Sequence, residues 1–408
     1  MPHHVPLIAT IAVGLAVAFL LGFVAARLRL PPIIGYLLAG VAVGPFTPGF
    51  VADTHLAPQL AEIGVILLMF GVGMHFSLAD LREVRGIAIP GAIVQIAVAT
   101  ALGAGMATIW GWPLLSGLVF GLALSVASTV VLLKALEQHG ALDSVNGRIA
   151  VGWLVVEDLA MVLALVVLPA VADALGPDAA ASAAIDWPLL GRELGIALGK
   201  IAVFFIIIYF VGVRLFPWVF AQVAHAGSRD LVTLFVIAVA LGIAYGSAIA
   251  FDVSFALGAF FAGVVINESK LTSRIAAEAV PLENAFAVLF FVSVGMLFDP
   301  AVLIERPVQV LVVILIVVAG KSIAALLIVL AFRYPLRTAL TVSASLAQIG
   351  EFSFILAAMG LALGMLPPEG QSLILVAALL SIMLNPLVFR TIDPVERLAL
   401  SIRPLASW

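Results

Sequence analysis

The stretch GWLVVEDLAM (residues 152–161) places two adjacent carboxylates, Glu157 and Asp158, inside an otherwise apolar run. No other charged residue lies between Arg148 and Asp173. The rest of the chain is similarly apolar: 64% of its 408 residues are hydrophobic, 10% are charged, and the mean hydropathy is +1.27. Because soluble domains carry about 25% charged residues, this composition predicts a polytopic membrane protein.

Apolar segments recur along the whole chain. A membrane-spanning helix needs about 20 apolar residues, and continuous apolar runs favour helices, whereas barrel strands alternate. We therefore predict an all-α membrane protein with about thirteen transmembrane helices. The predicted segments are residues 5–27, 31–45, 58–76, 87–110, 113–137, 147–172, 189–213, 229–249, 254–268, 281–298, 307–331, 335–363 and 370–391.

The basic residues are distributed unequally between the two sides of these segments. Of 19 Lys and Arg residues, Arg192 and Arg306 fall on one side and Lys200 and Lys321 fall within spans. All the others fall on the opposite side. The positive-inside rule places that basic side in the cytoplasm, which predicts an outer N-terminus and a cytoplasmic C-terminus.

Two short motifs recur at nearly the same offset. AGV occurs at residues 39–41 and again at 262–264, and VGM occurs at residues 72–74 and again at 294–296. The offset pairs the second helix with the ninth and the third with the tenth. A shift of seven helices makes the two halves run in opposite directions, and such inverted repeats are characteristic of secondary transporters. The alternative is that apolar helices reuse Ala, Gly and Val by chance.

The same offset aligns the fifth helix, LALSVASTVVLL (residues 122–133), with the twelfth, ASLAQIGEFSFI (residues 344–355). Both carry polar residues in the middle: Ser125, Ser128 and Thr129 in the first, Gln348 and Glu351 in the second. Such residues let membrane helices break where they line a cavity, so we predict two broken crossing helices whose ends face the site with opposed partial charges. The alternative is that the hydroxyls bond within their own helix and Glu351 snorkels.

The buried charges fall at similar depth. Glu157 and Asp158 follow Arg148 by about 14–15 Å at 1.5 Å per residue, and Lys321 precedes Arg333 by about 18 Å. Charges at this depth are costly and are usually functional and paired. Because helix neighbours point about 100° apart, we expect Glu157 to pair with Lys321 while Asp158 faces a cavity. A purely structural pair is the alternative, and it does not explain the second acid.

A carboxylate at this depth can hold either a proton or a monovalent cation, but not both well. Competition between the two is an exchange mechanism: the site loads a cation, releases a proton and reverses on the other side. We therefore expect a monovalent cation site at Asp158, with no catalytic residue and no bound cofactor.

Seven motifs together resemble the monovalent cation:proton antiporter-2 family, and most closely its Kef/YbaL-type bacterial members. The resemblance covers essentially the whole chain. The motifs are LPPIIGYLLAGVAVGP, STVVLL, VVEDL, FALGAFFAGVVINES, FFVSVGMLFD, GKSIAALL and AQIGEFSFIL.

This resemblance implies a homodimer that works as an elevator in the bacterial inner membrane. Within a membrane domain of residues 1–395, it implies a moving core at about 87–172 and 307–391. The dimerisation scaffold then comprises about 5–76 and 189–298, and residues 396–408 form a cytoplasmic tail.

The resemblance also assigns roles to single residues. Asp158 matches the ion- and proton-binding carboxylate of the family, and Glu157 matches the variable position before it. Lys321 matches the lysine that pairs with that position when it is acidic. Ser128 and Thr129 match the unwound part of the first crossing helix.

The implied function is K⁺/H⁺ antiport, with ions, membrane lipids and a second copy of the chain as partners and no nucleic acid. The best-known Kef proteins have Gln where this chain has Glu157, so Na⁺/H⁺ antiport stays open, as does a ligand-gated K⁺ efflux channel. An intramembrane aspartyl protease is disfavoured, because it needs two Asp on separate helices.

Kef-type proteins usually continue into a nucleotide-binding domain. This chain ends in RPLASW without a GxGxxG-like loop, so we expect that regulatory domain to be missing.

Two further polar residues have weaker predictions. His75, at the cytoplasmic end of the third helix, could sense pH, although a histidine in such a place is more often an interfacial cap. Glu283 is expected at a helix end, where a polar residue needs no special role.

Overall fold

The computed structural model describes residues 6–48, 50–53, 56–75, 78–141, 144–175, 187–225, 228–251, 254–267 and 272–401. All regular structure in these ranges is helical. The side chain of His75 lies outside the described part of the molecule, so its predicted role is not tested.

Nineteen α-helices and two π-helical segments make up the described chain. One π-helical segment, Ile208–Gly212, joins α8 to α9, and the other, Ile316–Gly320, joins α14 to α15. The α-helices are α1 Pro6–Arg27, α2 Pro32–Val43, α3 Leu56–His75, α4 Leu78–Ile109, α5 Leu114–Ser125, α6 Thr129–Gln138, α7 Val145–Leu175, α8 Trp187–Ile207, α9 Val213–His225, α10 Arg229–Phe251, α11 Phe255–Asn267, α12 Thr272–Met296, α13 Val302–Glu305, α14 Pro307–Leu315, α15 Lys321–Ala331, α16 Leu336–Ser345, α17 Glu351–Ala362, α18 Pro368–Arg390 and α19 Ile392–Ser401.

Many of these helices are apolar enough to lie in a membrane. In the described ranges, eight helical stretches have the length and composition to cross a bilayer, and five shorter apolar helices accompany them. Large apolar side chains such as Phe19, Ile93, Leu163 and Ile249 are exposed on the outside, where lipid replaces water as the solvent. The predicted class, a helical multi-pass membrane protein, is confirmed. The count of thirteen spans stays a prediction.

The repeated motifs pack on each other across the molecule. Gly40 of the first AGV motif lies against Gly295 of the second VGM motif, and an added Cβ on Gly40 would come within 2.7 Å of the Gly295 Cα. Likewise, an added Cβ on Gly263 would come within 2.9 Å of the Gly73 Cα. Helix α2 therefore contacts α12 as α3 contacts α11. This crossed contact is what two oppositely oriented halves produce, and the predicted inverted repeat is confirmed.

The helices form two internally packed groups. In the scaffold group, α1–α3 and α10–α12, helix α3 packs on α11 and α12, and α2 packs on α1. In the core group, α4–α7 and α14–α18, helix α4 packs on α5 and α7, and α17 packs on α5 and α18. Helix α8 contacts α7 and α10 and so joins the two groups. The moving and dimerising roles of the predicted domains stay predictions.

Two predicted boundaries differ from the structure. Helix α12 begins at Thr272 and continues through Pro281, so Glu283 lies inside the helix and the prediction of a helix-end position is wrong. Pro281 resembles a helix start, but proline is tolerated within membrane helices because neighbouring groups satisfy the freed backbone. The predicted tail is helical up to Ser401, and Arg337 at the start of α16 forms ion pairs with Asp393 and Glu396 of α19.

Candidate functional site

The two predicted crossing helices are broken where they meet. Helix α5 ends at Ser125 and α6 begins at Thr129, and Val126 between them has extended backbone angles. Helix α16 ends at Ser345, and the chain runs irregularly until α17 begins. The N–H of Gly350 donates to the Val126 carbonyl over 3.1 Å, which joins the two breaks directly. The prediction of two broken crossing helices is confirmed.

Gln348 links the breaks a second time. Its Oε1 accepts a hydrogen bond from the Ser128 N–H at 2.9 Å, and its Nε2 donates to the Ser128 carbonyl at 3.1 Å. Gln348 is fully buried. One side chain therefore satisfies the Ser128 N–H that the break frees and adds a second bond to the Ser128 carbonyl, which also accepts from the Leu132 N–H. These two bonds fix the crossing helices relative to each other.

The hydroxyls of the first break have different roles. Ser125 Oγ donates to the Leu122 carbonyl at 2.7 Å, so for Ser125 the alternative of bonding within its own helix is correct. Ser128 Oγ accepts from the Val131 N–H at 3.3 Å and caps α6. Thr129 Oγ1, in contrast, donates to Asp158 Oδ2 at 3.1 Å. Thr129 is thus the hydroxyl that reaches the predicted ion-binding carboxylate.

The adjacent acids of α7 point to different partners, as their angular separation predicts. Glu157 is fully buried, and its Oε2 accepts a hydrogen bond from the Ala127 N–H at 3.0 Å. Asp158 is 4% exposed and is bonded through Oδ2 to Thr129. The second oxygens, Glu157 Oε1 and Asp158 Oδ1, have no hydrogen-bond partner. Each acid therefore keeps one carboxylate oxygen available to a proton or a cation.

Lys321 lies in the same buried layer. Its ammonium donates to the Gln348 carbonyl at 3.0 Å and also attracts Glu157 electrostatically. The lysine thus compensates the charge of Glu157, while its hydrogen bond goes to the second break.

Glu351 is the acid that the tertiary structure brings to Asp158. It is the first residue of α17, is 2% exposed, and lies near the hydroxyls of Ser128 and Thr129. Neither of its carboxylate oxygens accepts a hydrogen bond of good geometry. Asp158 and Glu351 repel each other electrostatically. Two buried carboxylates in this relation are stabilised when a proton or a cation lies between them.

Sequence analysis missed three polar residues that hold the broken ends. Gln95 of α4 donates to the Ser125 carbonyl at 3.0 Å. Ser381 of α18 accepts from the Ile349 N–H at 3.2 Å, and Asn385 donates to the Ala344 carbonyl at 2.9 Å. The signal that could have found them is their isolation, since each is a buried polar residue within an apolar span.

Known proteins resemble this chain along most of its length. Residues 15–392 match the family described as sodium/hydrogen exchanger, transmembrane. The chain is 59% identical over 393 residues to the putative cation/proton antiporter YbaL of Escherichia coli (strain K12), a match that covers 96% of this chain and 70% of that protein. It is 33% identical over 384 residues to K(+) efflux antiporter 4 of Arabidopsis thaliana, covering 91% of this chain and 62% of that protein.

The fold is also found among solved structures. The sodium proton antiporter MjNhaP1 from Methanocaldococcus jannaschii superimposes with a TM-score of 0.67 at 15% identity, covering 94% of this chain and 98% of that one. At this identity the likeness shows a shared fold, and the sequence matches establish the relationship. The chain belongs to the sodium/hydrogen exchanger family of transmembrane proteins.

Proposed function

We propose that the protein is a secondary active antiporter that exchanges a monovalent cation for protons at Asp158. K⁺/H⁺ exchange is the first expectation and Na⁺/H⁺ exchange is the alternative. The observation that carries the proposal is the environment of Asp158, a buried carboxylate with one oxygen on Thr129 and the other without a partner. A second buried carboxylate, that of Glu351, accepts no hydrogen bond of good geometry and repels the Asp158 carboxylate electrostatically.

The residues around Asp158 suit a cation that has lost part of its water. Hard monovalent cations prefer oxygen ligands, and Asp158 Oδ1 and the oxygen of Thr129 supply them. Glu351 adds negative charge that attracts a cation. When a proton binds Asp158 instead, the negative charge is lost and the cation leaves. Proton and cation therefore exclude each other at one site, and that exclusion couples their movements.

The other residues of the site have positioning roles. Glu157 and Lys321 compensate each other's charge, so the layer beside Asp158 carries no net charge from this pair. Gln348 keeps the two breaks together, and Thr129 and Glu351 begin helices whose N-terminal partial charges favour an anionic site.

We further propose an elevator, in which the core group carries the site past a dimerising scaffold group in the bacterial inner membrane. The hydrogen bonds that hold Asp158, Glu157, Lys321 and Gln348 join helices α5–α7 with α15–α17, all in the core group. A site bonded within one group supports its movement as a unit. The N-terminus is then outside, and the C-terminus is cytoplasmic.

The test is cation-dependent proton movement in proteoliposomes loaded with a pH-sensitive dye. Additions of K⁺, Na⁺, Li⁺ and Rb⁺ to the wild type identify the exchanged cation. Proton release upon addition of one of these cations, with a fixed ratio of cation to proton, is the expected result. Cation flux that follows the ion gradient without moving protons would instead support the channel alternative.

A further inference from the structure

A third membrane-embedded acid, Glu283, lies on the wall of a cavity between the two helix groups. The cavity has a volume of about 430 Å³. Scaffold residues from the start of α2, from α3 and from α12 line most of it, and Val131 of the core helix α6 closes one side. The cavity lies toward the basic side of the membrane domain, because α2 begins there at Pro32, just after Arg27 and Arg29.

The carboxylate of Glu283 packs against α3. The carboxylate lies directly against Gly71 of α3, where the Cβ of any other residue would collide with the Glu283 carboxylate atoms. Among the residues that the structure describes, no hydrogen bond or ion pair to Glu283 is found. Asn284 contributes a second polar side chain to the same cavity. A carboxylate within a membrane domain is costly unless water or a cation solvates it.

Glu283 also interacts electrostatically with an acid of the ion site. It repels Glu351 electrostatically, and Glu351 in turn repels Asp158. Glu351 is 2% exposed, and neither of its oxygens accepts a hydrogen bond of good geometry. Three acids, on α12, α17 and α7, thus interact in sequence, Glu283 with Glu351 and Glu351 with Asp158. The buried cation of the core group, Lys321, is bonded to Gln348 and attracted to Glu157.

A neighbouring cavity contains a basic residue. Arg29 lines an adjacent cavity of about 370 Å³ together with His139, and the two cavities share Pro31, Pro32 and Val131. The acid therefore lies on the scaffold wall of one cavity and the arginine in its neighbour.

We propose that Glu283 is a second binding site for the monovalent cation, on the scaffold wall of the cytoplasm-facing cavity, which holds the ion between bulk water and Asp158. This inference rests on the proposed function, since it names the route to that site. A fixed carboxylate in a low-dielectric cleft concentrates cations near it. The carboxylates of Glu283 and Glu351 repel each other, and a bound cation that interacts with both of them relieves this repulsion.

Equilibrium binding tests the site without any transport. The probe is radioactive Rb⁺, bound at alkaline pH to the purified full chain as wild type, Asp158→Asn, Glu283→Gln and the double variant. We expect Asp158→Asn to retain weak Rb⁺ binding that the double variant lacks. Equal Rb⁺ binding by Asp158→Asn and the double variant would overturn the proposal. This readout stands even if the wild type proves not to be an antiporter.

A transport measurement separates the two faces of the membrane. In proteoliposomes of known orientation, Glu283→Gln should raise the apparent KM for the cation about tenfold on the basic face, with the maximal rate and the opposite-face KM nearly unchanged. Glu283→Asp keeps the charge and should recover most of the cation affinity. It also provides a charged variant to measure if the Gln variant does not fold. An equal rise in KM on both faces would contradict a site in this cavity.

The matched control is Glu62→Gln. Glu62 is an exposed acid on the same scaffold group that lines a cavity between α3, α11, α12 and α17, toward the opposite side. Neutralising it removes the same charge from the protein. Rb⁺ binding and basic-face KM should therefore stay as in the wild type, and an effect equal to that of Glu283→Gln would show that only net charge matters.

Discussion

Gly350 donates its backbone N–H to the carbonyl oxygen of Val126 over 3.1 Å, so the two broken helices are bonded to each other at their breaks. An isolated break in a membrane helix leaves backbone groups that water cannot reach, and each such group costs free energy. When two breaks cross, backbone groups left unpaired at one break can form hydrogen bonds with backbone groups at the other. The result is a rigid crossing point with carboxylates beside it.

The remaining groups of the breaks are satisfied in a repeated pattern. At the first break, Glu157 accepts the Ala127 N–H. At the position 222 residues later, the Ile349 N–H is accepted by Ser381. The inverted repeat thus extends to the hydrogen bonds of the site, but one half supplies a carboxylate where the other supplies a neutral hydroxyl. Because only the first break is bonded to a carboxylate, the ionisable groups of α7 lie on one side of the crossing point.

Asp158→Asn should abolish cation-driven proton movement and leave the fold intact. The amide keeps the shape and can still accept from Thr129, but it cannot be deprotonated to bind a cation. The measurement is cation-dependent proton release from proteoliposomes, with the elution volume and melting temperature of the purified protein as folding controls. Near-wild-type exchange by this variant would exclude Asp158 as the coupling site.

Lys321→Ala should destabilise the protein by about 3–5 kcal/mol, because it leaves the buried carboxylate of Glu157 without its compensating charge. Adding Glu157→Gln should recover part of that loss. Thermal unfolding in detergent of both single variants and the double variant gives the coupling. Purely additive effects would show that Lys321 and Glu157 do not interact energetically.

Gln348→Ala should cost about 1–3 kcal/mol, because the buried N–H of Ser128 would lose its partner, whereas the Ser128 carbonyl keeps its hydrogen bond from the Leu132 N–H. Transport should fall as well, since the crossing point that positions Asp158 loosens. The check is thermal unfolding together with proteoliposome exchange. A matched control is Ser372→Ala in the same core group. It removes a half-buried hydroxyl that bonds only to the Pro368 carbonyl of its own helix at 3.3 Å, and it should leave both readouts unchanged.

Gly40→Ala should separate α2 from α12, because the added methyl group would meet the Gly295 backbone at 2.7 Å. Backbone atoms cannot move aside as a side chain can, so overpacking of about 1–3 kcal/mol or more is expected. Gly242→Ala is the control: nothing lies within 4 Å of an added Cβ there, and alanine favours helices by about 1 kcal/mol. Equal melting temperatures for the two variants would contradict the close contact of the repeats.

Lowering the pH should raise the apparent KM for the cation without much reducing the maximal rate. A protonated Asp158 has lost the charge that binds the cation, and a higher cation concentration restores binding by mass action. Well below the pKa of the site, one competing proton raises KM by about tenfold per pH unit, and above that pKa the KM is flat. Initial rates in proteoliposomes across a pH series provide the measurement.

A different pH result would assign the proton elsewhere. If the maximal rate falls with acid while cation affinity stays constant, protonation acts at a separate regulatory group. His75 and Glu351 are then the first residues to substitute, and loss of the acid effect in one of them would identify the group. A channel would show neither pattern, since its flux follows the ion gradient alone.

The sequence by itself determined the medium, the class of fold, the repeat and the depth of the charges. Hydrophobicity is a property of composition, and depth along a helix follows from its constant rise per residue, so Glu157, Asp158 and Lys321 could be placed in one layer. Only the tertiary structure decided the lateral neighbours. It placed Glu351 beside Asp158 and the Glu283 carboxylate in a cavity against α3, because contacts between helices depend on which faces pack together, and no local pattern in an almost uniformly apolar chain records that choice.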